Sequence, residues 1–438
     1  MKLTKAEWFS LAPMYFIFIV LLSCTKDEPV QPHVHSIQLS VEDASCTEVW
    51  LKATITETPA TIALLRDNHR VQILQLSTSD SLLIDEGLLP NHGYVYQLQK
   101  LGVDSSVIEA TETLQVTTMD TTSHNFTWHM DTLGVSSSTL SDVAIINDTL
   151  AYAVGEMYLR DSTGEIDPIL YNLAKWNGQR WHIQRVPVPL CPNGTGYFPL
   201  RTIFAFEPND VWMTGGGDMI HWDGYTFQGD CSMNPLLQGG LNKIWGMNSS
   251  NLYAVGNAGT IIHRTGTMWR RMESGVTSNI QDVWGYTNQS GTTTILAVAS
   301  PSPQTKILSI SSSGVRDTLS WFPNYPFSST WISSTPAVYV ASQGIWRNKG
   351  FRWHGMVGPS NTFYTGIRGS CENNVAAVGW GGVLSHFNGI SWRTYTQIPS
   401  DFFFEAVAVS EDMIVAVGYT VNGVFADKAA VVIGRRVR

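Results

Sequence analysis

The chain has 438 residues, with 27 Lys and Arg against 36 Asp and Glu, for a formal net charge of −9. That acidic balance, with no Lys/Arg cluster anywhere, excludes a phosphate-neutralising nucleic-acid surface. Only 14% of residues are charged and 43% are hydrophobic, which excludes a disordered chain and suits a large β-core, and the length allows two or three domains.

The first element in chain order stands apart from the fold. Lys2 and Lys5 precede an unbroken apolar run over residues 14–22, too short for a membrane span and of the right length for a secretory signal. It ends in Leu21-Leu22-Ser23-Cys24, which resembles the lipobox of bacterial lipoproteins. The resemblance implies a signal peptide over 1–23, cleavage after Ser23 and diacylation of Cys24, so that the membrane is a partner through a lipid anchor. Thr25-Lys26-Asp27-Glu28 lacks the Asp directly after Cys that holds such proteins at the inner membrane. Its acidic pair resembles the export tag of outer-membrane lipoproteins displayed on the cell surface. Losing residues 1–23 removes two Lys and one Glu, leaving 25 basic and 35 acidic side chains, net −10. Residues 24–35 read as a linker.

Residues 36–119 alternate with period two in short runs near 37–41, 49–55, 71–76 and 94–98, the pattern of a β-sandwich. Leu88-Leu89-Pro90-Asn91-His92-Gly93-Tyr94-Val95-Tyr96 resembles the Leu-x-Pro-x-x-x-Tyr-x-Tyr corner of fibronectin type III domains, and Trp50 stands where those domains keep a core Trp. The resemblance implies a spacer beside the anchor, with no chemistry of its own.

Residues 120–438 repeat a phrase: an apolar strand, a short Asn- or Asp-bearing turn, a second strand running into Gly, then Gly-x-x-Trp. The landmark Gly or its stand-in falls at 155, 215, 256, 299 (Ala), 342 (Ser), 379 and 418. A period near 40 built from strand signals alone predicts β-propeller blades. Seven are expected, near 139–186, 200–230, 241–272, 280–321, 328–355, 364–396 and 404–435. The last is completed by 126–133, because a closed ring must hide its edge strand. The fold class is therefore all-β, a sandwich followed by a seven-bladed propeller closed by an N-terminal strand. Asn177-Gly178, Asp223-Gly224 and Asn388-Gly389 are type I′ hairpin signals. The phrase resembles a degenerate Asp-box of sialidase-like propellers; most copies lack the leading Ser, so only the propeller carries over.

Recurring residues are read as structural. His221, His263, His386, Lys175 and Arg347 each lie three positions before a hairpin Gly, one per blade, too dispersed around the ring to share a metal ion. No cofactor is expected. Four Cys remain after Cys24, none with CxxC or Cys/His spacing, in a compartment the lipobox makes oxidising. Cys191 and Cys231 fall in neighbouring blade-to-blade connections and are expected to pair; Cys46 and Cys371, in the sandwich and in a turn on the opposite face, are expected to stay free.

The longer connections gather on one face and carry Tyr197, Phe198, Tyr325, Phe327, Phe363, Tyr364, Phe402 and Phe403, the aromatic content expected of binding loops on a rigid scaffold. The expected function is a non-enzymatic envelope lipoprotein that binds a glycan or a protein at this loop face. The alternative is a glycosidase or lyase using loop carboxylates such as Glu156, Asp161, Glu165, Asp167, Asp230, Asp401 and Asp427. No pair among them is singled out by spacing, and no Arg triad of the sialidase kind is present.

Overall fold

A computed structural model describes residues 36–288, 291–300, 305–319, 325–333, 337–349, 352–356, 362–423 and 425–437. The signal peptide, Cys24 and the 24–35 linker lie outside the described residues, as do parts of the loops near 300–305, 322–329 and 356–364.

Two sheets form the N-terminal unit. One holds Ile37–Ala44, Glu48–Ile55 and Asp80–Glu86; the other holds Ala60–Arg66, His69–Leu76, Gly93–Leu101, Val107–Ala110 and Leu114–Thr117. Alternation in Glu48–Ile55 sends Val49, Leu51, Ala53 and Ile55 into the core between the sheets. Trp50 is buried but lies on the other side of that strand, so it is not the sandwich core Trp expected from the sequence. It points instead at the rest of the chain, with the Arg347 guanidinium 5.8 Å from its ring.

Seven four-stranded antiparallel sheets follow among the described residues. Their first strands are Thr139–Asn147, Thr202–Glu207, Leu241–Asn248, Ile280–Thr287, Ser329–Ile332, Tyr364–Cys371 and Phe402–Val409. Each of these touches the first strand of the next sheet, and the seventh touches the first, so the strands enclose a central channel. Six sheets are built from consecutive strands. The seventh adds Met413–Asn422 and Phe425–Arg436 to its first strand, then takes its outermost strand from Phe126–Leu133, in register from Ala429↔Leu133 to Arg436↔Phe126.

The apolar core is divided into wedges between neighbouring sheets. In the second strand of the first sheet, Tyr152 and Val154 pack towards the second sheet, while Ala151 and Ala153 pack towards the seventh. Both faces of such strands are buried, which explains their nearly continuous apolar character; each fully buried Val, Leu or Ile contributes about 1.5–3 kcal/mol. The landmark Gly has a steric cause. At Gly155 and Gly256 the carbonyl oxygens of Thr139 and Gly240 lie where a Cβ would project, so the first strand approaches the second too closely for a side chain.

The recurring polar residue of the third strand is held locally. His221 stacks on Trp212 and bonds Asp210 (2.8 Å); His263 stacks on Tyr253 and bonds Asn251 (2.8 Å); His386 bonds Asn374 (3.0 Å). Arg347 departs from this pattern. Its guanidinium meets Glu48 of the sandwich through two bonds (3.1 and 2.9 Å) and Glu372 (2.5 Å), and Glu372 also accepts from the Tyr339 hydroxyl (2.7 Å). All four side chains are buried. The sandwich thus sits on the face of tight turns. It brings Cys46 beside the turn containing Cys371: the Cys46 thiol and the Asn373 amide both donate to the Asp120 carbonyl (3.1 and 2.7 Å). Both thiols are free, but sandwich docking brings them near one another rather than keeping them apart. Burial, then the charge of Glu372, pushes the Cys46 thiol up to about 12.

Deleting residues 126–133 strips the outer strand from the seventh sheet and bares the edge of Phe425–Arg436. The shortened chain is expected to unfold at lower denaturant and to self-associate on size-exclusion chromatography, and to lose more stability than a chain lacking residues 25–118. Unchanged unfolding would contradict the closure.

Candidate ligand-binding funnel

In every sheet a buried apolar residue lies within two residues of the start of the first strand: Leu140, Leu200, Leu241, Ile280, Phe327, Tyr364 or Phe404. The next residue is always polar: Ser141, Arg201, Asn242, Gln281, Ser328, Thr365 and Glu405. In five sheets the register slips at this polar residue, between Leu140/Asp142, Leu241/Lys243, Ile280/Asp282, Tyr364/Gly366 and Phe404/Ala406. A bulge re-aims one side chain without ending the strand. Here the seven polar residues line the mouth of the channel on the loop face, where two adjoining cavities of about 830 and 410 Å³ open. Both volumes fall within the range of ligand pockets, about 300–1,000 Å³.

Beneath this ring lie two buried charge networks of the same design. Asp142 accepts from the Thr202 hydroxyl (2.7 Å) and Ile203 N–H (3.0 Å) of the second sheet and from Lys243 of the third (2.6 Å). Three sheets further round, Asp282 accepts from the Ser329 hydroxyl (2.6 Å) and Thr330 N–H (3.0 Å), and from Arg368 in a bidentate pair (2.9 and 2.8 Å). Burial alone would raise the Asp282 carboxyl. The Arg368 charge and its hydrogen bonds, helped by Lys243 and Ser329, outweigh it and hold the group below the usual carboxylate range. Each network bonds three consecutive sheets together at the channel wall.

Three carboxylates around the larger cavity are not neutralised in this way. Among the described residues Glu156 accepts one side-chain hydrogen bond, from the Tyr158 hydroxyl at 3.4 Å. Asp218 has its Oδ2 buried without a hydrogen-bond partner, and burial raises its carboxyl despite the nearby amides of Gly217 and Gly215. Glu405 is open to channel water yet crowded by protein, and that desolvation raises its carboxyl too. The cation facing them is Arg201, exposed, whose one side-chain bond among the described residues is to Asn242 (3.4 Å).

On the side of the sixth and seventh sheets the rim is aromatic. Phe363, Trp380, Phe403 and Tyr419 contact in series, with ring centroids 5.3, 6.3 and 5.8 Å apart, and Trp380 is 48% exposed. Phe363 and Trp380 line the smaller cavity. Across the funnel, Phe198 lines the larger one beside Val188, Pro189 and Leu190. That wall continues directly into the Cys191–Cys231 disulfide, with Cα atoms 5.8 Å apart.

The aromatic residues expected from the sequence therefore divide. Phe198, Phe363 and Phe403 belong to the funnel or its shelf. Tyr197 and Tyr325 are exposed outside the cavity lining, Tyr197 with the Arg185 guanidinium 5.9 Å from its ring. Tyr364, Phe327 and Phe402 are buried at the start of first strands, where the apolar wedge needs a large side chain, and present no free face to a ligand. Of the expected loop carboxylates only Glu156 lines the funnel; Asp167 is paired with Arg185. Arg201, Asp218, Trp380 and Glu405 were missed. The signal for Arg201 and Glu405 was present in the sequence, as a polar residue recurring at one register of otherwise apolar strands. Trp380 directly follows a landmark Gly.

This geometry is that of a β-propeller. The chain is similar to the WD40 β-propeller domain of Doa1, at 13% identity and a TM-score of 0.51 over 71% of this chain and 98% of that one. The WD40 domain of Neurospora crassa Pan2 matches at 11% identity and a TM-score of 0.46, over 70% and 90%. These likenesses concern the fold alone. No family model matches the chain, and no curated protein matches it.

Arg368→Met leaves Asp282 buried without its cation and is expected to cost about 3–5 kcal/mol in chemical denaturation, with the Asp282→Asn, Arg368→Met double variant costing less than the two singles combined. Because the Asp282 carboxyl is held low, its contribution is present above the unfolded value of about 3.9 and is lost as pH falls through the folded value. The parent chain should therefore lose more stability than Asp282→Asn as pH is lowered from about 5 to about 2. Equal losses would contradict the pairing.

Proposed function

We propose that this chain is a lipid-anchored outer-membrane protein in which a seven-bladed propeller, closed by an N-terminal strand and carried on a fibronectin type III-like sandwich, binds a glycan at its loop face without altering it. The observation that carries the ligand assignment is the loop-face funnel: a polar ring around two adjoining cavities of about 830 and 410 Å³, with a partly exposed aromatic shelf lining the smaller one. Sugars present hydroxyls for polar groups and an apolar C–H face for an aromatic ring, and this funnel offers both. The seven sheets in ring contact support the blade count. For the sandwich, support comes from the facing three- and five-stranded sheets and from Leu89 N–H donating to the Tyr94 hydroxyl (2.9 Å), the bond of a tyrosine corner. The lipobox at Cys24 supports the anchor, and surface display rests on the acidic pair Asp27-Glu28.

A second reading, a carbohydrate-active enzyme, is favoured by Glu156, Asp218 and Glu405 lying around one cavity, since glycoside hydrolysis uses two carboxylates about 5–10 Å apart. New reducing ends or unsaturated products on incubation with the bound glycan would establish it over the binding reading.

Two measurements test the proposal. Cys24→Ala should move the protein from the membrane to the soluble fraction; a variant that still sediments with membranes contradicts the anchor. Trp380→Ala should weaken glycan binding by about tenfold or more, since burying an aromatic side chain contributes about 1.5–3 kcal/mol. Glycan affinity that does not change in calorimetry would remove the shelf from the site.

A further inference from the structure

The funnel sorts its charges in a way that restricts the ligand. Lys243 and Arg368, the cations deepest in the channel, are occupied by Asp142 and Asp282. The amide nitrogens of Asn242 and Gln281 are also committed, to Asn257, the Ile280 carbonyl and the Ser300 carbonyl. What remains around the mouth is rich in acceptors: the Asp218 carboxylate in the cavity wall, the Glu405 carboxylate and most of Glu156, facing the guanidinium of Arg201. A partly desolvated carboxylate in a cavity wall gains from a ligand that donates to its accessible oxygen.

We propose that the sugar residue seated in this funnel carries no acidic group and is a neutral or amino-bearing sugar that donates its hydroxyl or amino hydrogens to Asp218 and Glu405. The inference rests on the glycan reading above and narrows it. Hydroxyl-to-carboxylate bonds are charge-assisted and about twice as strong as neutral ones, so an acceptor-rich wall rewards donors. A uronate or sialate would bring a further negative charge against three carboxylates and one guanidinium, on a chain whose net charge is already −9. The aromatic shelf beside Glu405 supplies the apolar contact such a sugar needs without adding charge.

The test is an array of neutral, amino-bearing, and uronate- or sialate-terminated oligosaccharides, probed with the mature full-length chain in detergent. Binding is expected on neutral or amino-bearing sugars, with affinity for the neutral ones nearly independent of salt between about 50 and 500 mM. Asp218→Asn and Glu405→Gln, both close in shape to the parent residues, should each weaken it by about tenfold without lowering the unfolding midpoint. Preferential binding of acidic sugars, weakened by salt and by Arg201→Gln, would overturn this inference and leave glycan binding standing. Absence of binding to every class, with the chain folded, would overturn the glycan reading itself.

Discussion

The antiparallel pairing of Phe126–Leu133 with Phe425–Arg436 joins the two ends of the ring, and the rest of the structure depends on it. A row of sheets stacked face to face buries nothing on its outer two faces. Only closure gives the seventh sheet a partner on each side, with Phe126, Trp128 and Met130 packing on the sixth and the strands around Val415 and Val431 packing on the first. Closure also converts seven separate strand starts into one circle. The bulged polar residues then face a common space, and a cavity exists where no single sheet could form one.

Charge is handled differently at the two ends of the channel. On the loop face, Asp142 and Asp282 consume the deep cations and tie sheets together, leaving the mouth with unneutralised carboxylates and Arg201. On the opposite face, Arg347 replaces the histidine of other sheets and reaches outside its sheet to Glu48. Buried ion pairs of this kind are weak sources of net stability, but breaking one leaves an uncompensated charge, so they specify which surfaces meet. Trp50 turning from the sandwich core towards Arg347 serves the same docking, and it leaves the loop face uncovered for ligand.

Much of this was legible in the sequence because repetition multiplies weak signals. The glycine landmark recurs because one backbone contact recurs, and the strand pattern at 126–133 stood out as an outer strand without a sheet to belong to. The aromatic site was harder to read. Tyr364 and Phe363 are neighbours, yet one fills a wedge and the other lines the funnel, since alternation decides their direction and the start of the strand is not marked in the sequence. Trp50 failed for the same reason, being one residue out of phase with the core face of its strand. Asp218 had no sequence signal; its significance lies in an oxygen left without a partner by three-dimensional packing.

The central claim is that ring closure builds one ligand site at the channel mouth on the loop face. Amide hydrogen exchange of the full-length chain, with and without a saturating mixture of neutral oligosaccharides, tests it directly. Added protection should be confined to residues 139–142, 199–202, 215–218, 363–366, 379–382 and 403–406, around the funnel. Protection centred on the sandwich, residues 36–117, or on the hairpin tips near Gly224 and Gly266 would contradict the account.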